Sequence, residues 1–272
     1  YQKAMEKHRR VKQSVEHVLR NTHDSTAGRL LAKKMKNILS QEKRFNREAT
    51  KMTELPTQAD AIILEFPAIS PLPSTKRVLT IQQMCLKIEE HILVRNINFE
   101  LLGQEKIGII GKNGVGKSTF LKELRHLLKE KRSITLGYMP QNYHDILNEA
   151  DSPIDFLTST GEAIEREKIL THLASLQFTR NEVHHPIFQL SGGQKAKLLL
   201  LKMVLDQANV LLLDEPTRNF SPTSQPQIRK LFTSYTGAFI TVSHDRTFLK
   251  EVCQKIYYLT ETGLEQVRKE QL

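Results

Sequence analysis

Residues 107–119, I-G-I-I-G-K-N-G-V-G-K-S-T, constrain this chain more than any other stretch. Ile107, Ile109 and Ile110 read as an apolar strand, the glycines as a turn, and Ser118-Thr119-Phe120-Leu121 as the start of a helix. Gly111, four residues, then Gly116, Lys117 and Ser118 have the spacing of a phosphate-binding loop. The chemistry needs these types. Glycines at 111, 114 and 116 let the backbone of Lys112, Asn113, Val115 and Thr119 turn successive N–H groups towards phosphate oxygens, and the helix adds its positive N-terminal end. Lys117 is expected to reach the outer phosphates and the Ser118 hydroxyl to ligate Mg²⁺. The competing reading is a tightly packed glycine turn. Strand, spacing and helix in one register favour a site for a nucleoside triphosphate.

The chain has 272 residues, enough for one large domain and an appendage. It opens at Tyr1 within a helical pattern, without an initiator Met or a signal peptide, as expected of a processed or truncated polypeptide. The densest apolar run, 198–201, stops at Lys202, so no membrane span is expected. Cys85 and Cys253 lack metal-ligand spacing, and free thiols in a reducing cytoplasm are expected. The net charge of +10 is concentrated in residues 1–55, with 14 Lys/Arg against 6 Asp/Glu. That asymmetry points to a polyanionic partner, nucleic acid first and an acidic membrane surface second. A solvated helix face is the plainer alternative.

Ala4, His8, Val11, Val15 and Val18 have the spacing of a coiled-coil seam. The polar cluster 21–25 breaks it, and it resumes through Leu31, Met35, Ile38, Phe45, Ala49 and Met52 until Pro56. The pattern predicts an antiparallel helical hairpin over 1–55, its second helix roughly 40 Å long at 1.5 Å per residue. Arg29, Lys33, Lys34, Lys36, Lys43, Arg44 and Arg47 lie largely off the seam. Such a thin, basic hairpin reads as a lever or probe. Prolines punctuate a connector at 56–75 containing one short expected strand, 62–66.

Alternation predicts strands at 77–88 and 91–102 with a turn at Glu89-Glu90, then the phosphate-loop strand and a helix to about Lys131. A strand at 134–139 ends in Pro140-Gln141. Residues 142–189 look mainly helical, and a helix is expected from Lys195 to Asp206 after Leu190-Ser191-Gly192-Gly193-Gln194. Residues 210–214 are an apolar strand ending in Asp214 and Glu215, and 238–242 another ending in Ser243-His244-Asp245. Unbroken apolar strands belong in a parallel sheet covered on both faces, with ligands at their C-terminal ends. The order is that of an α/β layered domain, expected over 76–272. Asp214 is placed to hold Mg²⁺ and Glu215 to act as general base towards water, while His244 and Gln141 taken singly are weak signals. A pair of helix-capping acids is the alternative for 214–215.

Taken together, residues 111–119, Gln141, L-S-G-G-Q at 190–194, L-L-L-D-E-P at 211–216 and S-H-D at 243–245 resemble the ATP-binding cassette family over residues 76–260. The resemblance implies a phosphate-loop core with helical and β subdomains, binding ATP and Mg²⁺. It implies that Gln141 links γ-phosphate and metal to the helical subdomain, that Glu215 is the catalytic glutamate and that His244 contacts the γ-phosphate. Ser191, Gly192, Gly193 and Gln194 then form a signature that closes on ATP held by a second cassette. A basic hairpin before a cassette is similar to the ABC-F proteins, where two cassettes flank a linker that reaches into the ribosome towards tRNA. P-T-R-N-F-S-P at 216–222 resembles the second cassette of antibiotic-resistance members. The resemblance therefore implies the end of a linker plus a second cassette, a cytoplasmic ATPase partnered by ribosomal RNA and tRNA.

Two positions depart from the family pattern. Ser221 stands where an interface Asp is usual, and Ile88 falls near the usual adenine-stacking aromatic, implying aliphatic base packing and loose base specificity. The alternative function is the ATPase subunit of a membrane transporter, to which the basic hairpin is foreign. A chromosome-maintenance ATPase ranks lower, because its coil separates phosphate loop from signature.

Overall fold

The computed structural model describes residues 64–66 and 72–272. The expected hairpin, with its basic side chains, and most of the connector lie outside the described residues. Of the strand expected at 62–66, Leu64, Glu65 and Phe66 are described and form no strand. Side-chain packing holds them: Leu64 is buried, and Phe66 lies 4.6 Å from the Tyr235 ring.

The alternating stretches form β1 (Arg77–Ile88) and β2 (His91–Leu102), an antiparallel ribbon turning at Glu89-Glu90 with a shifted register in several places. Six further strands make one sheet. They are β3 (Lys106–Gly111), β4 (Leu136–Met139), β5 (Val210–Asp214), β6 (Ala238–Val242), β7 (Lys255–Thr260) and β8 (Gly263–Val267), ordered β4-β5-β6-β3-β7-β8. Neighbours are parallel from β4 through β7, and β8 folds back antiparallel. The helices are α1 (Lys117–Lys129), α2 (Pro153–Leu157), α3 (Ala163–Ser175), α4 (Gly192–Leu205), α5 (Gln225–Ser234) and α6 (Arg246–Val252).

Side chains alternate between the sheet's faces, giving each strand a share in two cores. Val210 and Leu212 of β5 join a core with Ile107 and Ile109 of β3, Ile240 of β6 and the ribbon residues Val94, Ile97 and Leu101. Against it lies α1, whose Phe120, Leu121, Leu124 and Leu128 recur at helical spacing on one buried stripe. Leu211 and Leu213 face the other core, built from α4, α5, α6 and the excursion between β4 and α4. The backbone of β3 touches this side closely. A Cβ at Gly108 would lie 2.6 Å from Leu249 of α6, so that helix packs directly on the strand.

The expected boundaries move in three places. The strand expected from 134 begins at Leu136, because the Ile134 N–H closes a turn on the Lys131 carbonyl at 3.0 Å. Residues 142–189 are less helical than expected. The helices take only 5 and 13 residues, with 3₁₀ turns at Tyr143–Asp145 and Ile187–Gln189. Asn142, which caps the first of these turns, is a side chain that competes with helix hydrogen bonding. The helix expected from Lys195 starts at Gly192, because Ser191 caps it. The Ser191 hydroxyl accepts from the Gln194 N–H at 3.2 Å, while Gln194 Oε1 accepts from the Ser191 N–H at 2.9 Å.

Candidate functional site

Four loops leave the C-terminal ends of neighbouring parallel strands: the glycine loop after β3, Gln141 after β4, Glu215 after β5 and His244 after β6. The topology thus brings together residues up to about half the chain apart. They line one cleft of about 420 Å³ with Ile88, Leu93, Asn113, Gly114, Gly116, Lys117, Ser118, Thr119, Asp214 and Val242. Its apolar members are Ile88, Leu93 and Val242; Ile88 is 48% exposed. All three are aliphatic.

The loop takes its shape from glycine. Gly111 has φ 154°, and a Cβ there would lie 2.7 Å from the Leu259 carbonyl oxygen of β7. Gly116, with φ 106°, caps α1 without any side-chain acceptor for the helix's first N–H groups. Those groups are left available to an anion. Gly111, Lys112 and Val115 are not part of the cleft wall. Gly111 and Lys112 instead give their carbonyls to Lys117 Nζ, at 2.8 and 2.9 Å, and Val115 packs on the ribbon-side core.

Charge is concentrated below this loop. Lys117 is buried, which lowers its pKa; Glu215 and Asp214 oppose that shift. Burial raises the Asp214 carboxyl, against the pull of a Ser118 hydrogen bond and of Lys117, Lys122 and Arg218. The Ser118 hydroxyl and Asp214 carboxylate are thus already neighbours. A hydroxyl, a carboxylate and the amide oxygen of Gln141 suit Mg²⁺, which takes few protein oxygens and completes its shell with water and phosphate.

Glu215 is held differently. Its φ of 54° is left-handed, a conformation costing a non-glycine residue of order 1 kcal/mol. The N–H is fixed to the Val242 carbonyl at 2.8 Å. The side chain is 13% exposed; Oε2 accepts from the His244 N–H at 3.4 Å and Oε1 sits 3.7 Å from His244 Nε2. Oε1 is buried and has no hydrogen-bond partner. Burial raises this carboxyl's pKa, with the His244 N–H and charge pulling it back. A carboxylate at the cleft wall with a raised pKa has the chemistry of a general base.

Ser191, Gly193 and Gln194 line a second cleft of about 260 Å³ with Gln177, Lys197, Asn219, Phe220 and Ser221. Gly192 is beside it, its would-be Cβ 3.4 Å from Asn219 Oδ1. None of these residues lines the first cleft. Ser221, in place of the expected Asp, spends its hydroxyl on Thr223 and Ser224 at 2.9 and 2.8 Å. Sequence reasoning overlooked Leu93, Arg218 and Asn219. Arg218 and Asn219 sit within P-T-R-N-F-S-P, and Leu93 is hidden in a strand of ordinary alternation.

Residues 94–218 match the family model described as ABC transporter. The dimeric ATP-binding cassette MJ0796, solved in a post-hydrolysis state with ADP and Pi, superposes with a TM-score of 0.59 at 19% identity, over 70% of this chain and 98% of that one. The fold is an ATP-binding cassette. The Bacillus subtilis putative ATP-binding protein YdiF is 31% identical to it over 201 residues, covering 71% of this chain and 31% of YdiF. The ribosome protection protein VmlR of the same organism is 29% identical over 234 residues, covering 84% of this chain and 42% of VmlR. The cassette chain thus spans less than half the length of these curated relatives. Among its described residues no helix is long and apolar enough to cross a membrane.

Proposed function

We propose that this chain is one cassette of an ABC-F ATPase that acts on the ribosome. The observation that carries the ATPase reading is the convergence of Lys117, Ser118, Gln141, Asp214, Glu215 and His244 on one cleft. In this reading the loop N–H groups and Lys117 hold the phosphates, while Ser118, Gln141 and Asp214 hold Mg²⁺, which when bound neutralises charge developing on the phosphates. Glu215 takes a proton from the attacking water, and His244 contacts the γ-phosphate. Lys112, Asn113, Val115 and Thr119 contribute as the loop's remaining members.

The second cleft supports a two-cassette assembly. Ser191, Gly193 and Gln194 line a cleft separate from that of their own phosphate loop, with Gly192 beside it, so in this reading the signature serves a nucleotide held by another cassette. ATP turnover measured against protein concentration tests this. The 272-residue chain should bind Mg-ATP and hydrolyse it slowly, and fast turnover by a strict monomer would sink the shared site.

The ribosomal role, antibiotic protection or translational regulation, is supported by the basic balance of residues 1–55 and by likeness to a relative named for ribosome protection. Its test is ATP-dependent co-sedimentation with ribosomes. Replacing Lys33, Lys34, Lys36, Lys43 and Arg44 together should flatten the salt dependence, each lost phosphate contact lowering the log–log slope by up to about 0.9. An unchanged slope would favour a merely solvated helix face.

A further inference from the structure

The cleft containing Gln141 and the cleft containing the signature share no lining residue, yet a side chain from the wall of the second is bonded to the loop that carries Gln141. Asn219 lines the signature cleft. Its carbonyl oxygen lies 3.0 Å from where a Cβ on Gly193 would stand, and its Oδ1 lies 3.4 Å from the same point on Gly192. The two glycines therefore rest against Asn219, and any side chain there would crowd it. From the other end, Asn219 Nδ2 donates to the Tyr143 hydroxyl at 2.8 Å. Tyr143 follows Gln141 by two residues, is 8% exposed, and has its carbonyl engaged by the Ile146 and Leu147 N–H groups. Asn219 is also short of freedom on its own chain, since the Arg218 N–H is bound to the Glu215 carbonyl at 3.1 Å.

A second bridge runs beside the first. Glu149 Oε1 accepts from Lys195 Nζ at 2.9 Å and lies 3.0 Å from His144 Nδ1, so the residue after Tyr143 is brought together with the residue after Gln194. Glu149 and His144 are substantially exposed, and such pairs contribute little in water. The part-buried Tyr143–Asn219 bond is the stronger of the two connections.

We infer that Asn219 is a positioning residue, fixing the Gln141 loop through Tyr143 to the signature turn. The inference rests on the nucleotide reading of the first cleft. A displacement of the Gln141 amide by about 1 Å is enough to cost up to about 100-fold in rate, because transition-state geometry is that demanding. Asn219 does not line the phosphate-loop cleft; it acts there through Tyr143 and the Gln141 loop.

The test uses the full-length native protein and compares wild type with Asn219→Ala, Tyr143→Phe, the double variant and Asn219→His. Steady-state turnover and binding of a fluorescent ATP analogue are measured for each. Each single change should lower kcat about 10-fold with KM and nucleotide affinity held within about 2-fold, and the double variant should lose no more than the singles. Asn219→His, with a ring N–H at a reach similar to the lost amide, should recover most of the rate. Tyr143→Phe removes only one oxygen, and it decides the matter alone if Asn219→Ala fails to fold. Unchanged kcat, losses that multiply in the double variant, or a raised KM at constant kcat would each overturn the inference while leaving the cleft's assignment standing. A wild-type protein that neither binds nor hydrolyses ATP would remove both.

Discussion

The two clefts hang from the same sheet but handle their polar groups in opposite ways. In the phosphate-loop cleft, Lys117 and Asp214 are buried and Glu215 part-buried, all three with perturbed pKa values, and one Glu215 oxygen has no hydrogen-bond partner. In the signature cleft the polar groups are satisfied. Ser191 and Gln194 exchange two capping hydrogen bonds, Gln194 donates onward to Glu182 at 2.8 Å, and Ser221 bonds its neighbours. Desolvated, unsatisfied charge costs stability and is retained where chemistry uses it. A satisfied turn can present N–H groups and a hydroxyl to a visiting molecule without being destabilised in its absence. On the proposed function, the contrast is that between a cleft that performs a reaction and one that completes another's.

The sharpest way to break this contrast is Glu215→Gln. Removing a general base should lower kcat by about 1,000-fold while leaving ATP affinity nearly unchanged, read by single-turnover hydrolysis with any second cassette inactivated. Near-normal turnover would take the base away from Glu215. Lys117→Ala comes next. It removes the cation that bridges the loop carbonyls and faces both acids, and nucleotide affinity should fall about 100-fold by calorimetry. An unaltered affinity would reduce the loop to a packing turn. Ser191→Ala should act on the opposite side of the comparison, lowering kcat of the two-cassette protein about 10-fold with binding at the first cleft intact. It should also cost about 1 kcal/mol of stability through the lost cap, visible by thermal melting. If it weakens ATP binding to the isolated chain instead, the two clefts are not functionally separate.

The smallest effect concerns stability itself. Burial holds the Glu215 carboxyl above its ordinary range, so between the unfolded and native pKa values the folded chain carries the extra proton. Its contribution is most favourable below the ordinary carboxylate range and declines as pH rises to the native value. Glu215→Gln abolishes that decline. The variant should melt higher than wild type above the carboxylate range and lose the advantage as the pH falls through it. An inverted order would mean the carboxylate is stabilised where it sits. The same titration should make wild-type turnover fall on acidification from above the usual carboxylate range.

Much of the first cleft was legible because each of its parts ends a strand. An apolar run followed by Gly-rich turn, by Asp214-Glu215 or by Ser243-His244 carries both the element and the place where ligands bind. The second cleft was legible by type and not by placement. Ser191 and Gln194 have capping-box spacing, yet the glycine pair between them reads as a turn and hides the helix start. Tyr143 and Asn219 leave no local trace, since their bond joins positions 76 residues apart. Neither residue is unusual in its own segment. Nor did β7, β8 and α6 stand out, because half-exposed strands such as Lys255–Thr260 alternate only loosely.

Strand β5 is five residues long and every one of them is buried. Its odd-numbered leucines look into one core and Leu212 into the other, while the same short backbone delivers Asp214 and Glu215 to the cleft. The strand is a cantilever clamped from above and below, with its working load at the tip. A hole made beneath Leu212, costing about 3 kcal/mol as a buried Leu→Ala change does, loosens the clamp along with the core. Mutations lying well beneath the nucleotide should thus register as changed metal affinity, and variation in the two cores is answerable to catalysis as well as to folding.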